Sequence, residues 1–399
     1  MITPIVALGK TVKQEADMSA RCNPQPWWPQ KGWAARGALA CCLAFSVVSA
    51  ISAQTRETTE PEKKMTIGAY YFDGWTGRNA SADDPKEPWA QNAPAMLRRR
   101  MVEEFPQREP LWGWRDDAPE IMEKQIALAA DHGLGFFAFC WYWHDDGGPI
   151  NAKAIEEDPK HTGLDLFLKA KNNDRMKFCL LVANHHGFEI KGAERWKEAA
   201  DYWMRYLKHP RCLTVGGKPL LIIFNPAGGD KEGFAYLQEA ARKAGLPGVA
   251  IAACGEGEPA AGYTLKTAYN VIPGYFGGSE AHKYAELAEA NEAAWRGSRE
   301  QPCMPEVIAG WDKRPWESPT ATGRDAAWYF PDRTPEQFAA HLRDAMNWMD
   351  KHPEQTTAER IVLIYAWNEL GEGGYILPTK GDPDAKYLKA LQSVVEERK

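Results

Sequence analysis

The sequence predicts a single (β/α)8 TIM barrel, on three observations. Eight short apolar runs alternate with amphipathic stretches along residues 66–399, and strand–helix alternation implies a parallel sheet with right-handed crossovers. The runs are continuous rather than alternately polar and apolar, as in strands covered on both faces. The first run leads into Asp73-Gly74-Trp75, where a doubly wound open sheet would carry a glycine-rich phosphate loop.

In chain order the strand runs are 67–72, 136–143, 177–183, 219–224, 249–253, 270–272, 306–309 and 361–366. The amphipathic stretches that follow them are 120–132, 164–171, 193–207, 233–244, 283–299 and 335–351, with 385–397 closing the chain. Segment 260–268 is too short for a helix. The first connection, 73–119, is far longer than a simple link, and long loops in compact domains carry function unless they are disordered.

The N-terminal segment reads as an export signal. An apolar run at 38–50 follows Lys31 and Arg36 and ends in Ser49-Ala50-Ile51-Ser52-Ala53. At thirteen residues it is too short to span a bilayer, which needs about 20, but it has the charge, apolar core and small-residue end of a secretory signal. The expected cut follows Ala53, with Met18 as an alternative start, 54–65 as a flexible linker and 66–399 as the catalytic domain. Cys41 and Cys42 stand at the start of the apolar run, the wrong end for lipidation. The expected location is secreted or periplasmic.

Removing 1–53 takes away five basic and two acidic residues, so a net charge of −6 on 399 residues becomes −9 on 346. This acidic balance argues against a nucleic-acid partner, and 44% hydrophobic content excludes a disordered chain. No membrane span is expected. Five cysteines remain, Cys140, Cys179, Cys212, Cys254 and Cys303. Their wide spacing gives no zinc knuckle, and most read as small buried hydrophobes. Seventeen tryptophans are an excess, suited to stacking on sugar rings as well as to filling a core. Nothing in the sequence bears on oligomeric state.

Barrel enzymes work at the C-terminal ends of their strands. There the sequence places Tyr71 near the end of the first run with Asp73 and Trp75 after it, and Trp141, Trp143 and His144 at the end of the second. Asn184 and His185 follow the third, Tyr275 the sixth and Trp311 the seventh. Trp141 and Trp143 share one face of their run, and Tyr142 and His144 share the other; period two leaves open which face enters the mouth. Adjacent His185 and His186 point apart, so no metal and no cofactor is expected.

The last run leads into Trp367-Asn368-Glu369-Leu370-Gly371-Glu372-Gly373. Residues three apart on one turn stand about 5–6 Å apart at Cβ, and two carboxylates that close are what a retaining glycosidase uses. One stays ionised while burial and its neighbour's charge keep the other protonated. Gly371, Gly373 and Gly374 allow tight turns and close approach by a ligand. The expected partner is an oligo- or polysaccharide.

Residues 68–75 (GAYYFDGW), 110–143, 217–224 (GKPLLIIF) and 366–373 (AWNELGEG) together resemble the family-99 glycoside hydrolases, the endo-α-mannosidases, and a wider family-99-like group that includes polysaccharide-biosynthesis factors. The match runs over nearly all of 66–396, and Asn368-Glu369…Glu372-Gly373 matches the family's Asn-Glu-Trp-x-Glu-Gly motif. The resemblance implies a retaining hydrolase of α-glycans. Glu369 would be the base that takes the sugar's 2-hydroxyl proton, giving a 1,2-anhydro sugar; Glu372 would be the acid and then the base; Tyr275 would correspond to the family's active-site tyrosine. Leu370 replaces a tryptophan, which alters a subsite wall, and Asn184-His185-His186 departs from the related Asn-Glu-x-Trp. Such a mechanism admits α-mannosides and α-rhamnosides. The alternative is a non-hydrolytic glycan-binding or polysaccharide-biosynthesis protein on the same scaffold.

Overall fold

The computed structural model describes residues 65–297 and 300–398. The expected signal, 1–53, and linker residues 54–64 lie outside the described residues.

The eight barrel strands are β1 (Thr66–Tyr71), β2 (Phe136–Trp141), β3 (Lys177–Val182), β4 (Lys218–Ile223), β5 (Ala250–Cys254), β6 (Leu265–Thr267), β7 (Glu306–Ile308) and β8 (Ile361–Tyr365). They lie in the order β6-β5-β4-β3-β2-β1-β8-β7, with every neighbouring pair parallel. A parallel bridge between Lys266 and Cys303 joins the two ends, with Lys266 N donating to Pro302 O at 3.0 Å and Met304 N to Lys266 O at 2.8 Å. The ring is nearly closed, and the expected (β/α)8 architecture holds.

Seven helices form the wall: α1 (Pro119–Asp131), α2 (Thr162–Lys169), α3 (Ala193–Leu207), α4 (Lys231–Lys243), α5 (Tyr284–Arg296), α6 (Pro335–Lys351) and α7 (Lys386–Glu396). Local chemistry starts several of them. The Asp230 carboxylate accepts from Gly233 N at 2.7 Å to cap α4, and Thr334 with Gln337 forms a reciprocal capping box at α6.

Strand residues sort by period two into two buried layers. Ala69, Tyr71, Phe137, Phe139, Trp141, Leu180, Val182 and Ile364 pack outward against helix residues such as Met122, Ile126, Phe167, Trp196 and Trp203. Tyr70, Phe136, Ala138, Cys140, Leu181, Ile222, Ala252, Ile308, Leu363 and Tyr365 fill the barrel. Gly68 leaves room for the Phe136 ring; a Cβ there would lie 2.2 Å from Phe136 Cζ.

The sixth strand corrects the sequence reading. Leu265–Thr267 pairs with β5, and 270–272 is a loop. Val271 finds its partner in a side chain: its N–H donates to Asn291 Oδ1 at 3.2 Å, and its carbonyl accepts from Asn291 Nδ2 at 2.9 Å. A buried asparagine of α5 thus satisfies the backbone that a strand would otherwise satisfy. The long first connection contains a short helix, Arg99–Glu103, and two 3-10 turns, Pro88–Ala90 and Pro106–Arg108. Among the described residues no helix is long and apolar enough to cross a membrane, and no cluster of His, Cys, Asp or Glu could hold a metal.

Candidate active site

The chain after β8 turns back on itself. Asn368–Glu369 pairs antiparallel with Gly374–Tyr375, so both glutamates ride on a hairpin, Glu369 in its first strand and Glu372 in its turn. The glycines here are required by the protein's own packing and turn geometry. Gly373 has φ of +75°, which favours glycine. A Cβ on Gly374 would lie 2.2 Å from Tyr365 Cε1, and one on Gly371 2.2 Å from Trp316 Nε1.

Four groups hold the hairpin. Arg108 donates through Nη1 to Leu370 O at 3.0 Å and Asp312 O at 2.9 Å, and through Nη2 to Asp312 Oδ2 at 2.5 Å. Asp312 N donates to Glu372 O at 2.6 Å. Arg333 Nη1 donates to Ala309 O and Tyr375 O, each at 3.0 Å. Asn368 accepts from Phe72 N at 2.7 Å and donates to Phe72 O at 2.8 Å and Asp116 Oδ2 at 3.2 Å.

Each glutamate receives a tyrosine hydroxyl: Tyr269 donates to Glu369 Oε1 and Tyr365 to Glu372 Oε2. Glu369 is buried, while Glu372 keeps part of its surface open at the mouth. Burial, then the charge of Glu372, pushes the Glu369 carboxyl well above the usual range. Burial also raises Glu372, opposed by the Tyr365 hydrogen bond and the Lys313 ammonium. Burial thus favours the protonated form of both carboxyls, and the charge of Glu372 adds to this at Glu369.

Aromatic rings continue around the mouth. Tyr269 lies 4.8 Å from Tyr70, 5.3 Å from Phe224 and 5.0 Å from Tyr365 between ring centroids. His185 stands 5.6 Å from Phe224 and 6.0 Å from Tyr142. On the other side Trp311 is 6.2 Å from Tyr365 and 5.8 Å from Tyr275.

This lining differs from the tryptophan platforms the sequence suggested. Trp75, Trp141, Trp143 and Trp367 are buried in the sheet–helix layer with Tyr71. Trp141 packs on Tyr202 and Trp203, and Trp75 donates to Asn368 O at 2.9 Å. Asp73 is buried and accepts from Gly163 N at 2.5 Å. The tryptophan-rich face of β2 turns outward, so Tyr142 faces in. Of the five candidate tryptophans only Trp311 belongs to the inner layer, and it is 1% exposed.

Asn184 accepts from Asn225 N at 2.8 Å and donates to Asn225 O at 2.9 Å, which commits its amide to the β4 end. His144 lies exposed on the rim, with Nδ1 3.0 Å from Gly187 O. Leu370 is fully buried and forms no subsite wall. Tyr275 lies against Trp311 and Lys313; the tyrosine on Glu369 is Tyr269. Tyr269, Tyr365, Lys313, Arg108 and Asp116 were all missed. Tyr365 ends the last apolar run, on the face that the structure turns inward with Leu363. A surface groove of about 370 Å³ between α3 and α4, lined by Met204, Tyr236 and Lys243 among others, lies on the outer wall and contains neither glutamate.

The sequence profile described as glycosyltransferase WbsX matches residues 112–274 and 263–391. The chain belongs to the glycosyltransferase WbsX family. The WbsX-family match takes in β2 to β8 and the glutamate hairpin. Two curated relatives, the uncharacterized proteins WxcX from two strains of Xanthomonas campestris pathovar campestris, are each 26% identical over 307 residues. The match covers 67% of this chain and 39% of each relative, so the chain spans well under half the length of these WxcX proteins. Among solved structures, the GH99 endo-α-mannosidase of Bacteroides thetaiotaomicron superposes with a TM-score of 0.56 at 18% identity, over 83% of this chain and 97% of that one. Its complex with BIS-TRIS-propane gives 0.54 at 17%, over 84% and 97%. A glycoside hydrolase-like protein gives 0.56 at 13%, over 84% and 95%. The WbsX-family chain therefore has the barrel fold of the GH99 enzymes, as its motifs led one to expect.

Proposed function

We propose that the chain is a retaining glycoside hydrolase of α-linked glycans with a 2-hydroxyl trans to the leaving group, such as α-mannosides or α-rhamnosides. The observation that carries this reading is the pair Glu369 and Glu372 on one hairpin at the barrel mouth, each bound by a tyrosine hydroxyl. Glu369 removes the proton of the 2-hydroxyl as that oxygen bonds to C1, and Glu372 protonates the departing oxygen. Glu372 then takes a proton from water as the water opens the 1,2-anhydro ring at C1, and Glu369 returns its proton to O2. Two inversions at C1 give net retention. The reaction needs Glu372 protonated and Glu369 ionised, an arrangement that sugar hydroxyls donating to Glu369 favour.

Glu369→Gln and Glu372→Gln should each abolish hydrolysis of a cleavable glycan while binding survives; an unchanged rate in either sinks the assignment. NMR of the first product should show the retained anomer. The family description favours a second reading, in which the same pair delivers the sugar to a glycan hydroxyl in polysaccharide assembly. Product masses with and without an added acceptor glycan separate the two. The proposed location is secreted or periplasmic, tested by finding Gln54 at the mature N-terminus.

A further inference from the structure

Lys313 differs from the other cations around the mouth. Arg108 and Arg314 both bind Asp312, and Arg333 binds two backbone carbonyls. The Lys313 side chain is only 11% exposed, yet among the described residues its nearest carboxylate oxygen is Glu317 Oε1 at 3.7 Å, beyond hydrogen-bond reach. Glu317 already accepts from Ala327 N at 2.9 Å, and its burial favours the neutral form. The ammonium otherwise meets the face of Tyr275, 4.2 Å from the ring centroid. An ammonium carries three donors, and holding it out of water without acceptors is unfavourable.

Its position is tied to Glu372. Asp312, the preceding residue, donates its N–H to the Glu372 carbonyl, so Lys313 sits across from the turn of the glutamate hairpin. Beside it lie Tyr275 and Phe276, their rings 4.9 Å apart, with Phe276 38% exposed. The result is a positive donor group on an aromatic rim, next to the proposed acid.

We propose that Lys313 receives a carboxylate carried by a sugar adjoining the cleaved bond, so that the site takes acidic glycans. This rests on the reading that the mouth binds glycan. The carboxylate takes up donors that no described residue accepts within hydrogen-bond distance, and it offsets a charge that otherwise favours ionised Glu372. An acidic substrate thereby helps Glu372 keep the proton it gives to the leaving oxygen.

Equilibrium titration of the full chain with uronic-acid oligosaccharides, and with the same oligosaccharides after carboxyl reduction, tests this without requiring turnover. The acidic form should bind about 10- to 100-fold more tightly, the range of a charge-assisted hydrogen bond. Lys313→Met should bring the two forms to similar affinity, and Lys313→Arg should retain the preference. Equal affinity in the unaltered chain, a preference that survives Lys313→Met in a variant of unchanged Tm, or no binding of either form overturns the proposal. Product formation is followed separately. Acid-selective binding without cleavage overturns the proposed hydrolysis and leaves the Lys313 assignment standing.

Discussion

Arg108 reaches from the long first connection to donate to the carbonyl oxygen of Leu370 at 3.0 Å, so a buried guanidinium holds a backbone group that lies between the two glutamates in sequence. The same group holds Asp312 in a buried ion pair. The loop that precedes α1 is therefore part of the framework behind the glutamate hairpin.

Arg108→Met should leave Asp312 with Arg314 alone and release the turn. Breaking a buried pair from one side costs about 3–5 kcal/mol, so denaturant unfolding should show a loss of that order. Activity should fall beyond what the loss of folded protein explains. Full activity in the folded fraction would show that the hairpin keeps its shape unaided.

Tyr269→Phe removes the hydroxyl that Glu369 accepts. That hydrogen bond favours the charged carboxylate, so its loss raises Glu369 further and moves the ascending limb of the pH–rate profile to higher pH. A hydrogen bond to a charged group corresponds to about 10- to 100-fold in rate. Steady-state kinetics across pH reads both effects, and an unmoved limb would separate Tyr269 from the titration.

Asp116 accepts from Asn368, Gln125 and Trp112, yet burial raises its carboxyl from 3.8 to about 6. The folded chain then binds the proton more tightly than the unfolded chain. The associated stability is fully present below pH 3.8 and is lost as pH rises to about 6. The difference corresponds to about 3 kcal/mol. Unfolding free energy should fall across that window, with a shallower slope in Asp116→Asn.

Gly374→Ala places a methyl group where the Tyr365 ring lies. The ring must move, taking its hydroxyl from Glu372. Overpacking of this kind costs about 1–3 kcal/mol. A Tm drop with loss of turnover is expected, whereas normal turnover would mean that Tyr365 does not position Glu372.

The barrel was legible because seven of the eight apolar runs are buried strands with little competition from local signals. The sixth was not, since Leu265-Lys266-Thr267 is short and interrupted by a charge, while Val271 and Ile272 look more like a strand. At the site Glu369 and Glu372 were found by motif and strand-end position. Tyr269 was hidden by that misplaced strand. Arg108 and Asp116 act across more than 200 residues of chain, which local pattern does not reveal. The tryptophans misled because their placement depends on which face of a strand turns inward, and period two is silent on that.

Asn184 and Asn368 each present a carboxamide to both backbone groups of a residue on the next strand end. Each imitates a peptide unit, so the hydrogen-bonded ring gains an extra rung at two separate joints above the level where the strands stop. The rim beside Glu369 thus inherits the stiffness of the sheet beneath it. On the proposed reading, a sugar entering such an opening would meet groups already in place, and its binding free energy would go into distorting the ring toward reaction rather than into assembling the site around it.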